Sequence, residues 1–176
     1  REEEEEILLK EYRGRETATQ DGKKIRLYTN IAGEGDMDSA CKSDAEGIGL
    51  FRSEFLYLQN SDYPTEEEQF RSYKNVLERM GNREVIIRTM DIGADKKISY
   101  FGLPEEENPA LGFRGIRICL ERREIFKTQM RALLRAAPYG SLLVMYPMIT
   151  SVREVREISG IVEEVKKELS QQNQSY

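Results

Sequence analysis

The chain has 176 residues, 39% of them hydrophobic and 34% charged, with a net charge of −5. That length suits one domain with its own core, and the acidic balance excludes nucleic acid as the main partner, because a phosphate backbone is met by a basic field. No apolar run is long enough to cross a bilayer and the opening REEEEEILLK is unlike a signal peptide, so a cytoplasmic protein with no membrane partner is expected.

In chain order, residues 1–20 predict an acidic helical arm with an apolar cluster of Ile7, Leu8, Leu9 and Tyr12, and Thr17–Lys24 predicts a polar linker. The expected division is therefore an arm and linker over 1–24 and a domain over 25–176. IRLYTN (25–30) predicts a strand, GDMDSACKSDA (35–45) a short helix and GIGLF (47–51) a second strand. Thr65 with Glu68 forms a capping-box pattern opening a helix in which Phe70, Tyr73, Leu77 and Met80 share one face, and Gly81 stops it. VIIRTM is the third strand, and 97–112 is a long excursion with Pro104 and Pro109. A helix then places Phe126, Met130, Leu133, Leu134 and Ala137 on one face, and LLVMYPMI (142–149) predicts a fourth strand covered on both faces. Ser151 with Glu154 caps a last helix carrying Val155, Ile158, Val162, Val165 and Leu169 at helical spacing. Strands that alternate with helices predict an α/β fold with a parallel sheet, either open and doubly wound or part of a barrel.

The absence of histidine excludes a Ser-His-Asp triad, a Cys-His pair and a phosphohistidine on this chain. Cys41 and Cys119, distant and without a CxxC pattern, exclude a disulfide framework or a zinc site and are expected to be small buried helical residues. What stands out is a cation at the end of two strands, Arg52 after GIGLF and Arg88 within VIIRTM, with Asn30 at the same end of the first. Functional side chains of parallel sheets sit at the carboxyl ends of strands, and a guanidinium fork matches phosphate or carboxylate oxygens. Two readings stay open: an anion site, or local ion pairs of Arg52 with Glu54 and of Arg88 with Asp91 or Asp95. The acidic turn DIGAD is expected to be solvated, since it lacks the ligand count of a magnesium cage.

The blocks AEGIGLFRSEFLYL, PTEEEQF..YK, VIIRTMDIGADK, EENPALGFRGIRI and MYPMI.SV.EV, in this order, resemble the phosphoenolpyruvate-binding domain of enzyme I of the bacterial sugar phosphotransferase system, from about Ile25 to Leu169. Pyruvate phosphate dikinase and phosphoenolpyruvate synthase share the domain and its NP.LG.RG element, while RTMDIGADK is closer to enzyme I. The resemblance implies a (β/α)8 TIM barrel, here truncated to about four βα units. It implies phosphoenolpyruvate and Mg2+ bound at the barrel's top, and a phosphoryl group passed to a histidine on an N-terminal domain and then to a phosphocarrier protein for sugar uptake. Matched residue by residue, Arg52 and Arg88 are the substrate-binding arginines, Thr89 and Asp91 orient Arg88, and Arg114 is a supporting residue.

The same resemblance implies that the metal ligands, a further substrate arginine and a proton-donating cysteine lie beyond Tyr176. No catalytic residue and no metal ligand is therefore expected in this chain, which by itself is expected to be an inactive part of a transferase. A homodimer is expected, since four strands cut from a barrel leave open edges. The alternatives are a piece of a dikinase or synthase, or a half-barrel that only binds or assembles.

Overall fold

Four short runs of apolar residues pair into one sheet in the computed structural model, which describes residues 7, 8, 10–96 and 98–176. The strands are β1 (Tyr28–Ile31), β2 (Gly47–Arg52), β3 (Glu84–Arg88) and β4 (Ser141–Met145). All pairs are parallel and the order is β1-β2-β3-β4, the order of the chain. With no reversal of strand order there is no switch point, so the doubly wound alternative is not the arrangement of these strands.

The helices are α1 (Met37–Lys42), α2 (Glu54–Leu58), α3 (Glu66–Met80), α4 (Ile116–Glu121), α5 (Arg123–Ala136) and α6 (Val152–Gln171). Right-handed crossovers between neighbouring parallel strands put successive helices on one face of a sheet, and here α3 packs on α5 and α5 on α6. Val85 and Ile87 of β3, with Ile48 and Phe51 of β2, are fully buried beneath them. Phe51 meets the Tyr73 ring edge-on at 5.8 Å.

Both predicted capping boxes form: the Thr65 hydroxyl accepts from the Glu68 N–H while the Glu68 carboxylate accepts from the Thr65 N–H, and Ser151 and Glu154 do the same. A cap of this kind satisfies two of the backbone donors that a helix start leaves open.

The structure departs from expectation in several places, each with a local cause. The first strand begins at Tyr28 rather than Ile25 because its backbone is diverted: the Ile25 N–H donates to Thr17 O, and the Leu27 N–H to the Glu46 carboxylate at 2.6 Å. The stretch Thr17–Lys24 is a small antiparallel turn, bridged between Ala18 and Lys24, rather than a featureless linker. Of the arm's apolar cluster, Ile7, Leu8 and Tyr12 are exposed, and Leu9 lies outside the described residues. The fourth strand is covered on one face only: Leu142 and Val144 pack on the core, while Leu143 and Met145 stand 44% and 38% exposed. It also stops at Met145, since Pro147 has no N–H to donate and Met148 turns the chain with φ +66°.

In α5 the inward positions include Ala132 and Ala136, while Leu134 sits at the margin and Ala137 lies just past the helix end. In α6, Ile161 is buried and Val155 exposed. Cys119 is buried, which pushes its thiol pKa up and leaves it unreactive. Cys41 is exposed, because Met37 and Ala40 take the inward positions of α1.

The outer surface of the helical layer is held by a lattice of charges. Glu66 accepts from Arg131 at 2.8 Å and Arg135 at 2.6 Å, Arg131 reaches Glu168 at 3.1 Å, and the nearly buried Lys127 ammonium lies between Glu164 and Glu168. Hydrogen bonds to Glu168 and Glu164 raise the pKa of Lys127, and hydrogen bonds to Lys127 lower those of both carboxylates. A lowered carboxylate pKa contributes stability that is fully present above the ordinary value of 4.5 and is lost as the pH falls through the folded-state value. The raised lysine contributes below 10.5 and loses its share above it.

Two outcomes follow from this packing. Leu133→Ala should destabilise the fold by about 2–5 kcal/mol in chemical denaturation, because the buried side chain leaves a cavity. Lys127→Met should cost about 1 kcal/mol at neutral pH and flatten the loss of stability on acidification below pH ~4.5. An unchanged acid limb in Lys127→Met would show that the lattice does not couple to folding.

Candidate functional site

The register of the sheet sets two like charges side by side. Arg52 ends β2 and Arg88 ends β3, and the two are Cα partners across the ladder, with Met145 of β4 next in the same row. Parallel strands run about 4.8 Å apart, so this row presents two guanidinium groups within reach of one small anion.

The first turn of α2 supplies the counter-charge. Glu54 is buried, and its Oε1 accepts from Arg88 Nη2 at 2.5 Å and from Arg52 Nε at 3.4 Å. Its Oε2 and the Nε of Arg88 are buried without a hydrogen-bond partner among the described residues. Arg88 reaches on through Nη1 to Asp91 Oδ2 at 3.1 Å. Arg114 joins the same carboxylate from the loop before α4, donating from Nε and Nη2 to Asp91 Oδ1 at 3.2 and 3.1 Å, with its Nη1 3.5 Å from Asp95. The turn DIGAD is solvated as expected only at its Asp95 end: Asp91 is buried because two guanidinium groups replace its water.

All three arginines singled out from the sequence thus converge. Arg88 and Arg114 are largely covered, with side chains 20% and 14% exposed, whereas Arg52 lies 42% exposed over the Phe55 ring at 4.6 Å. The ion pairs Arg52–Glu54 and Arg88–Asp91 of the second reading are also present, while Asp95 is paired with Arg114 rather than Arg88. Thr89 is buried and extends the ladder, its N–H donating to Met145 O at 2.9 Å, so it steadies the strand end rather than touching Arg88. Asn30 is exposed, two strands away from Arg88.

Glycine is needed where the site and the sheet crowd the backbone. Gly115 has φ +54°, and a Cβ there would lie 3.2 Å from Asp91 Oδ1, so glycine lets Arg114 approach the acid. At the other end of the sheet, a Cβ on Gly47 would lie 2.8 Å from Glu84 O and 2.9 Å from the Tyr28 ring. There Tyr28 and Arg26 both bind the Glu84 carboxylate.

Sequence reasoning missed a buried polar cluster directly behind the arginines. Gln129 of α5, Ser53, Tyr73 and Gln69 are all buried and joined to one another by hydrogen bonds. The signal was legible: Gln129 stands three residues after Phe126 and four before Leu133, a polar side chain on an apolar stripe. Gln69 stands likewise four residues before Tyr73.

Magnesium, implied by the resemblance, does not fit the residues here. Glu54, Asp91 and Asp95 are each engaged by arginine, and no group of three or more metal-binding side chains occurs among the described residues.

Comparison with known proteins places this chain in a family. Residues 7–176 match the domain described as "PEP-utilising enzyme, PEP-binding domain". The chain is similar to the phosphoenolpyruvate-protein phosphotransferase of Staphylococcus aureus, 49% identical over 161 residues, which is 92% of this chain and 28% of the relative. It is also similar to that of Haemophilus influenzae, 51% identical over 158 residues (90% and 28%), and that of Priestia megaterium, 50% identical over 156 (89% and 27%). The chain spans little more than a quarter of the length of the relatives it matches. With a family match over nearly its whole length, the chain belongs to the PEP-binding domains of the PEP-utilising enzymes.

Proposed function

We propose that this chain forms part of the phosphoenolpyruvate site of a phosphoenolpyruvate-protein phosphotransferase. The single observation that carries the proposal is the lateral pairing of Arg52 with Arg88 at the carboxyl ends of adjacent strands, bridged by the Glu54 carboxylate. In this reading the two guanidinium groups bind the phosphoryl oxygens and Arg114 supports them by holding Asp91 against Arg88. Phosphoryl transfer depends on positioning and on stabilising charge, and both are what rigid strand ends and fixed guanidinium groups supply.

The acceptor is a histidine elsewhere in the whole protein, since this chain has none. From that histidine the group passes to a phosphocarrier protein for sugar uptake. Magnesium serves the same whole protein, through ligands outside this residue set.

The surrounding architecture on this reading is a (β/α) barrel, to which these four βα units contribute. Parallel strands in chain order, helices packed together over the sheet and an opposite face exposed at Leu143 and Met145 all support it. Location in the cytoplasm is part of the same reading.

Arg52→Ala and Arg88→Ala, made in the full-length protein, should each lose roughly 2–4 kcal/mol of transition-state stabilisation, lowering kcat/KM for phosphoenolpyruvate by about 30- to 1000-fold. Wild-type turnover in both variants would show that the pairs with Glu54 and Asp91 are structural only.

The chain should also self-associate as a homodimer. Leu143, Met145 and Ile149 expose apolar surface beside the open edge of β4, and a second copy covering it removes both liabilities. Sedimentation equilibrium over a range of concentrations tests this, and a single 20.4 kDa species throughout would refute it.

A further inference from the structure

Beyond Arg52 and Arg88 the β2 and β3 strands stop, and each chain leaves the sheet in its own direction. The spacing of the two guanidinium groups therefore depends on what fixes the next residues. On β3 the ladder continues for one bond, from the Thr89 N–H to Met145 O at 2.9 Å, and the following N–H, that of Met90, finds its acceptor in a side chain. That acceptor is Gln129 Oε1, at 3.0 Å. The other end of the same amide, Gln129 Nε2, donates to Ser53 Oγ at 3.0 Å and to Tyr73 OH at 3.1 Å. Ser53 is the residue that immediately follows Arg52.

One planar amide thus spans from the end of β3 to the end of β2. It cannot drift, because its third bond is anchored to α3. The Tyr73 hydroxyl donates on to Gln69 Oε1 at 3.2 Å, Tyr57 donates to the same oxygen at 3.4 Å, and Gln69 Nε2 donates to Pro64 O at 3.0 Å. Gln129, Ser53, Tyr73, Tyr57 and Gln69 are each no more than 1% exposed, so water offers no substitute partners. Burial and the cost of orphaning any member give the cluster a single arrangement.

We infer that Gln129, although it lies on the outer helix, is a positioning residue for the anion site: its amide clamps the ends of β2 and β3 and thereby sets the separation of Arg52 and Arg88. This rests on the proposed phosphoenolpyruvate reading for its catalytic consequence, but not for its geometry. Displacements of about 1 Å at a site built on charge placement are costly, and the clamp's loss frees both strand ends.

The test compares Gln129→Met, close in size but unable to hydrogen-bond, with Ser53→Ala, which removes only the β2 limb. Leu133→Ala on the same helix serves as the stability control. All are made in the full-length protein and assayed where each remains folded. Gln129→Met should raise KM for phosphoenolpyruvate about tenfold, and Ser53→Ala by a smaller factor in the same direction, while Leu133→Ala keeps the wild-type KM despite its lower Tm. A KM in Gln129→Met no different from that of the control would overturn the clamp. The Nε–H resonances of Arg52 and Arg88 in arginine-labelled protein give a second reading independent of turnover. They should shift in Gln129→Met and stay in place in Leu133→Ala, and unshifted signals again overturn the inference. If wild-type protein shows no turnover of phosphoenolpyruvate, the substrate reading fails and the resonances alone decide the clamp.

Discussion

Two guanidinium groups held on adjacent strands repel one another, and the site depends on how that repulsion is met. At about 5 Å and an effective dielectric of 20, two like charges cost about 3 kcal/mol. Glu54 compensates by placing one carboxylate oxygen against both arginines, from a position where the carboxylate itself is excluded from water. Asp91 repeats the arrangement one step further on, between Arg88 and Arg114. The result alternates cation and anion from Arg52 to Asp95, and removal of an inner member, Glu54, Arg88, Asp91 or Arg114, takes a charged contact from the groups on either side of it.

That alternation needs a rigid frame, and the frame comes from the ladder and the helices behind it. The register fixes Arg52 opposite Arg88, the Thr89 bond to Met145 carries the order one residue past the strand, and the buried glutamine cluster takes over where backbone pairing ends. The helices that bury this cluster are themselves held on their outer side by the lattice around Lys127 and Glu66. Charges therefore act in two ways in one molecule. Outside they join helices in partial contact with water, and inside they are arranged across the ends of two paired strands.

Much of this was legible in the sequence, because period and punctuation carry it. The two capping boxes, the stripe of Tyr73, Leu77 and Met80, and the placing of Arg52 and Arg88 at strand ends all follow from local patterns. What was not legible depends on long-range partners. Leu27 looks like a strand residue until Glu46 takes its N–H, and DIGAD looks like a solvated turn until Arg114 arrives from 23 residues downstream to cover Asp91. The exposed face of β4 was hidden for a related reason: an apolar run shows that a strand can be covered, not which of its faces is. Gln129 falls between these cases, since its burial was inferable from its place on an apolar stripe but its partners, Ser53 and the Met90 N–H, were not.

The balance of charge also bears on how an anion would enter such a site. Three guanidinium groups face three carboxylates, with Lys96 also 3.4 Å from Asp95, so the cluster carries at most one net positive charge, and its pull on a distant anion is weak. Affinity on the proposed reading must then come from replacing a carboxylate contact with a phosphoryl contact at close range. The two strand-end arginines are unequal in this respect. Arg88 is bonded to both Glu54 and Asp91 and is mostly covered, whereas Arg52 has one long contact at 3.4 Å to Glu54 and rests on an aromatic face with its side chain 42% exposed. Turning Arg52 toward a ligand sacrifices little, while moving Arg88 would break the alternation on which the cluster rests. On the proposed reading, the fixed arginine defines where the anion sits, and the exposed one closes on it.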